Sequence, residues 1–166
     1  TKTYSIPVFK YTMKNNAETG LAGATFTLSK SSDGKNPINL VKTSGEDAAE
    51  NTYRVAKTNE IGAVTTVTTP ASGKFTIKGL DADTYYLTET QQPAGYNKLS
   101  APITVVIDEN GNITVGTNNV DEVKVLNNTG SLLPSTGGSG TTMIYILGAI
   151  LVLGSSVVLI TKKRMR

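Results

Sequence analysis

The sequence has 166 residues and no cysteine, histidine or tryptophan, which removes the common His/Cys metal sites, the usual His-assisted acyl-transfer pairs and any disulfide framework. Its formal charge is +3, but residues 162–166 (KKRMR) supply +4 and leave −1 for everything before them. A nucleic-acid partner, which would need a basic patch, is therefore not expected, and the residues before Leu133 suffice for one β-rich domain or at most two very small ones.

Thr3 to Met13 alternates with period two, placing Ile6, Val8 and Lys10 on one face and Pro7, Phe9 and Tyr11 on the other. Pro7 argues for an edge strand or a strand start. Asn15 to Gly20 reads as turn chemistry, Ala22 to Lys30 as a second strand carrying Phe26 and Leu28, and Ser31 to Pro37 as a loop. Short strands follow at Ile38–Lys42, Tyr53–Ala56 and Ala63–Thr69, with a polar connection over Ser44–Asn51. Gly73–Leu80 is a strand running into a turn at Asp81–Asp83, and Thr84–Gln91 is the next, ended by Pro93-Ala94-Gly95-Tyr96. Ile103–Ile107 and Ile113–Val115 flank Asp108–Asn112, and Val120–Asn127 is the last strand. The acidic and amide oxygens of Asp108–Asn112 suggest a calcium loop, but no bidentate acid or flanking helices follow, and Asn110-Gly111 between apolar runs is a hairpin turn. Many short strands with frequent turns predict an all-β sandwich or barrel over 1–129.

The C-terminal part is organised differently. Leu133-Pro134-Ser135-Thr136-Gly137 lies in a linker over 130–142, a charge-free apolar run follows, and Lys162, Lys163, Arg164 and Arg166 close the chain. The run predicts a transmembrane helix over 143–161, since at 1.5 Å per residue it reaches about 27 Å. The basic tail at 162–166 places that end in the cytoplasm and the residues before Leu133 outside. An exported chain beginning at Thr1 without an initiator Met is expected to be a mature or truncated form.

Pentapeptide, span and basic tail together resemble the LPxTG cell-wall sorting signal of Gram-positive surface proteins. The resemblance implies cleavage between Thr136 and Gly137 by a sortase, whose cysteine forms an acyl-enzyme on the Thr136 carbonyl that an amine then resolves. Pro134 kinks an exposed segment for entry into a groove, and Gly137 leaves room beside the scissile carbonyl. Two blander readings compete: a plain membrane anchor, and a GPI signal, whose tail normally ends without a basic cluster.

Three strands share one oddity. Each alternating apolar row ends in a polar side chain on the same face: Ile6, Val8, Lys10; Tyr85, Leu87, Glu89; Val123, Val125, Asn127. The bland reading is that the rows fray into water at the ends of the sandwich, because Lys and Glu are almost never fully buried unless paired. The chemical reading uses all three. In a dry core burial favours the neutral amine, a nucleophile, and the neutral carboxylic acid, which can polarise a carboxamide and pass a proton to departing ammonia. Lysine and asparagine then condense once per molecule to an amide. Lys14 shares the parity of Lys10, and Asn128 neighbours Asn127, so both stay open as replacements.

Val8-Phe9-Lys10, Leu21–Phe26, Tyr86-Leu87-Thr88-Glu89-Thr90 with Pro93-Ala94-Gly95-Tyr96, and Val123–Asn127 together resemble the CnaB-type domain of Gram-positive, SpaA-type pilins. The resemblance implies a prealbumin-like (inverse immunoglobulin-like) sandwich, with Lys10 and Asn127 as isopeptide partners and Glu89 as the acid. It further implies a structural subunit of a sortase-assembled pilus at the cell surface. The partners would be a sortase, adjacent pilin subunits, a peptidoglycan precursor and, before cleavage, the membrane. No cofactor, metal or multiple-turnover enzyme activity is expected. The family's donor lysine lies in a Tyr-Pro-Lys-like motif that does not occur here, which leaves backbone, basal and tip subunit open. The alternative is the stalk domain of a wall-anchored adhesin.

Overall fold

The computed structural model describes residues 2–129; the linker with Leu133–Gly137, the expected span over 143–161 and the basic tail lie outside the described residues. Twelve strands form among them: β1 (Tyr4–Lys14), β2 (Ala17–Gly20), β3 (Thr25–Ser29), β4 (Leu40–Lys42), β5 (Asn51–Val55), β6 (Val67–Thr68), β7 (Lys74–Leu80), β8 (Asp83–Gln91), β9 (Ile103–Ile107), β10 (Ile113–Val115), β11 (Asn118–Val120) and β12 (Val123–Leu126). One sheet has the order β12-β1-β7-β5-β4, with β2 also on β1, and the other runs β11-β10-β9-β8-β3-β6. No helix among the described residues is long and apolar enough to cross a membrane.

The core lies between the sheets and is built by period-two alternation. Ile6 and Val8 from β1, Phe75 and Ile77 from β7, and Val123 and Val125 from β12 face Phe26 and Leu28 from β3, Tyr85 and Leu87 from β8, and Val105 and Ile107 from β9. β12 lies parallel to β1 in the register Val8↔Val123 to Tyr11↔Leu126, so the first long strand and the last strand are neighbours.

Pro7 does not mark an edge. β1 is an interior strand, with β7 and β2 on one side and β12 on the other. The Asn127 N–H donates to the Tyr11 carbonyl at 2.9 Å, so the odd-numbered main-chain groups of β1 face β12. Pro7 is one of these, and it precedes the first β12 pair at Val8. Its missing N–H therefore forfeits no ladder bond.

Other boundaries shift for local reasons. The turn expected over Asn15–Gly20 needs only Asn15 and Asn16, both at positive φ (51° and 65°), and Ala17–Gly20 pairs back on β1. The strand expected over Ala63–Thr69 narrows to β6, with Val64 bridging to Leu40. The stretch Val120–Asn127 is split. Asn118–Val120 hairpins onto β10 in one sheet, and the chain crosses at Asp121-Glu122 to enter the other as β12. Asp108–Asn112 is a hairpin connection between β9 and β10, in which the Asp108 carboxylate accepts from the main-chain N–H groups of Asn110 (2.8 Å) and Asn112 (2.9 Å).

Candidate functional site

The three apolar rows converge at one end of the core. Lys10, Glu89 and Asn127 are 0%, 2% and 1% exposed, and they touch one another. Lys10 comes from β1, Asn127 directly follows β12, its neighbour in the same sheet, and Glu89 comes from β8 in the facing sheet. The Lys10 Cα is in register with that of Val125, two positions before Asn127. A long side chain is needed to reach forward along the strand, and lysine has one.

The Lys10 ammonium nitrogen donates to the Asn127 side-chain oxygen Oδ1 and lies 3.2 Å from Glu89 Oε2. The Asn127 Nδ2 donates to the same Glu89 oxygen at 3.1 Å. The other carboxyl oxygen, Oε1, accepts from the main-chain N–H of Leu99 at 2.8 Å. Glu89 Oε2 thus touches both side-chain nitrogens, facing the amide nitrogen of Asn127 and not its carbonyl oxygen. The Phe26 ring lies 5.7 Å from Lys10 Nζ and leans on Phe75, closing the floor of the site.

Main-chain bonds hold the lysine in place. The Lys10 N–H donates to the Gly73 carbonyl at 2.7 Å, and its carbonyl accepts from Leu21 N–H at 3.0 Å. Burial pushes the Lys10 ammonium down from 10.5 to about 8, with the Glu89 carboxyl partly opposing the shift. The replacements that the sequence leaves open stand elsewhere: Lys14 and Asn128 are both exposed. Phe26, Gly73 and the Leu99 N–H were not singled out by sequence reasoning. A main-chain donor has no side-chain signature, and Phe26 reads simply as core.

The pKa of Lys10 predicts a pH dependence for any variant that keeps the free amine. Asn127→Ala is one. Between about 8 and 10.5 the unfolded chain binds more protons than the folded one, so stability should rise with pH there; below about 8 both states hold the proton and the cost of the buried ammonium is fully present. Burial, with a nearby carboxylate, holds Tyr11 and Tyr85 protonated up to about 12, and above 10 these groups run the other way. The gain is therefore expected between pH 8 and pH 10, and denaturation midpoints across that window check it. A midpoint that falls through the window contradicts the assignment.

The profile of the SpaA prealbumin-like fold domain matches residues 9–121, more than half of the chain. The chain belongs to this family. The match contains Lys10 and Glu89 and stops short of Asn127. A type 1 fimbrial subunit of Actinomyces viscosus is 38% identical over 85 residues, 51% of this chain but 16% of that protein. Among solved structures, the minor pilin of Streptococcus agalactiae aligns with a TM-score of 0.56 and 24% identity, over 80% of this chain and 48% of that one. The C-terminal domain of the shaft pilin spaA from Lactobacillus rhamnosus GG aligns with a TM-score of 0.50 and 23% identity, over 78% of this chain and all of that one. These structural likenesses bear on the fold: this prealbumin-like domain is an all-β sandwich shared with pilins of Gram-positive bacteria.

Proposed function

We propose that this chain is a structural subunit of a sortase-assembled pilus, stabilised by an isopeptide bond between Lys10 and Asn127. The observation that carries the reading is the buried Lys10–Glu89–Asn127 cluster joining the first and last strands. Three polar groups of complementary chemistry are buried together in the core, out of contact with solvent. The neutral Lys10 amine attacks Cγ of Asn127, and Glu89 Oε2 accepts the amine's proton. The carboxyl then passes a proton to Nδ2, the C–N bond breaks, and one ammonia leaves as the amide forms. Glu89 ends in the protonation state in which it began.

The topology gives this bond a mechanical role. β1 and β12 are parallel neighbours, so tension applied through the two ends of the domain loads them in shear. An amide between Lys10 and Asn127 carries that load past the hydrogen bonds of the intervening domain. The stretch Leu133–Gly137 supplies the intermolecular link, with the Thr136 carbonyl transferred by a sortase to a lysine of the adjacent subunit or to a peptidoglycan-precursor amine. The apolar run at 143–161 holds the precursor in the membrane until transfer, and the finished subunit is displayed on the cell surface.

Thr136→Ala tests this linkage in cells. The variant should remain in the detergent-extractable membrane fraction and be missing from boiling-resistant high-mass ladders, while its domain folds and crosslinks as before. Unchanged ladders and wall fractions would overturn the sorting part of the proposal.

A further inference from the structure

We propose that the segment Pro93–Leu99, which follows β8, is a strap that positions the crosslinking cluster: the Leu99 main-chain N–H holds Glu89 by one oxygen, while Tyr96 and Asn97 hold the chain just past Asn127. The inference rests on the crosslinking reading above. It concerns the part of that site which no side chain supplies.

The two oxygens of Glu89 have separate tasks. Oε1 accepts from Leu99 N–H at 2.8 Å, and Oε2 lies 3.2 Å from Lys10 Nζ and 3.1 Å from Asn127 Nδ2. The terminal torsion of a glutamate is broad, so its own stereochemistry does not select the oxygen that faces the reactants. The Leu99 donor makes that selection. An N–H pairs best with an unprotonated oxygen, so the proton that the carboxylate takes from the amine goes to Oε2, between the attacking and the departing nitrogen. Proton uptake and delivery then occur at one atom, without rotation of the group.

The strap is itself built. The Tyr96 N–H donates to the Pro93 carbonyl at 3.1 Å, and Gly95 sits at φ 86° within that turn. Pro93 is buried, and the Leu99 side chain packs against the core. The Asn97 N–H donates to the Asn128 carbonyl at 2.9 Å, and Tyr96 bridges to Thr129. One short segment therefore grips the acid and the acceptor's strand together, with Asn127 between the two attachments. Leu99 acts through Glu89, which makes it a positioning residue.

The test uses the full chain made by cell-free synthesis, with loss of one ammonia followed by intact mass against time and pH. Leucic acid at position 99 keeps the side chain and replaces the N–H by an ester oxygen. This ester chain should fold and crosslink on the order of tenfold to a hundredfold more slowly, with a pH dependence displaced from that of the wild type. Leu99→Ala, which keeps the N–H, should match the wild type. Leu99→Pro also deletes the N–H and should slow conversion in the same way. Wild-type rates and pH profile in the ester chain, or slowing by Leu99→Ala as large as that by the ester, would overturn the strap. A wild-type chain that keeps its full sequence mass would instead remove the crosslinking reading on which it rests.

Discussion

The intact chain should weigh one ammonia less than its sequence, and Lys10→Ala, Asn127→Ala and Glu89→Ala should each restore the full mass. Lys10 and Asn127 are 117 positions apart. By the chain-entropy treatment used for disulfides, a closed loop of that size stabilises by about 4–5 kcal/mol, and each variant should lose roughly that amount in chemical denaturation. The three should not be equal. Asn127→Ala leaves Lys10 and Glu89 as a buried pair 3.2 Å apart. Lys10→Ala leaves the Glu89 carboxyl in the core without its cation, and removing one partner of a buried pair costs a further 3–5 kcal/mol or so. Lys10→Ala should therefore unfold well before Asn127→Ala. Glu89→Ala retains both reacting groups, so an unlinked product there separates proton transfer from packing. A wild-type mass equal to the sequence mass refutes the bond, whatever the stability data show.

Gly73→Ala is expected to be the most damaging small substitution remote from the reacting atoms. Gly73 has φ 76°, and a Cβ at this position would lie 2.1 Å from the Lys10 carbonyl oxygen and 2.8 Å from the Leu21 nitrogen. Both are main-chain atoms and cannot rotate away. Gly20 is in the same contact, since its own Cβ would meet the Ser72 carbonyl at 2.0 Å. The close approach arises because β2 and β7 share one side of β1 and meet there end to end. The left-handed conformation and the clash together should cost about 2–4 kcal/mol. The strand that must give way carries Lys10, so the fraction of crosslinked chains should fall as well. Full crosslinking at wild-type stability would show that the approach imposes no constraint.

Much of the site is legible in one dimension because strand periodicity is local. Any reading that places Ile6 and Val8 inside places Lys10 on the same face, and the same holds for Glu89 behind Tyr85 and Leu87 and for Asn127 behind Val123 and Val125. Composition was equally direct: without cysteine or histidine, the polar groups left for covalent chemistry in a core are few. Turn chemistry located most strand ends, and Asn110-Gly111 announced the β9–β10 hairpin without any tertiary information.

What the tertiary structure alone decided is where those rows meet and what surrounds them. Parity cannot say how far a buried face extends, so Lys14, which shares the parity of Lys10, is excluded only by its exposure; Asn128, which parity turns outward, is exposed as well. Pairing partners are long-range. The parallel docking of β12 on β1 turned Pro7 from an edge marker into an interior residue whose missing N–H precedes the ladder. The hairpin of β11 on β10 divided a stretch that reads as one strand, because a change of sheet leaves no mark on alternation. The grip of the Leu99 N–H on Glu89 was beyond sequence reasoning altogether. Every residue except proline carries that donor, and only the path of the chain determines which one meets the carboxyl.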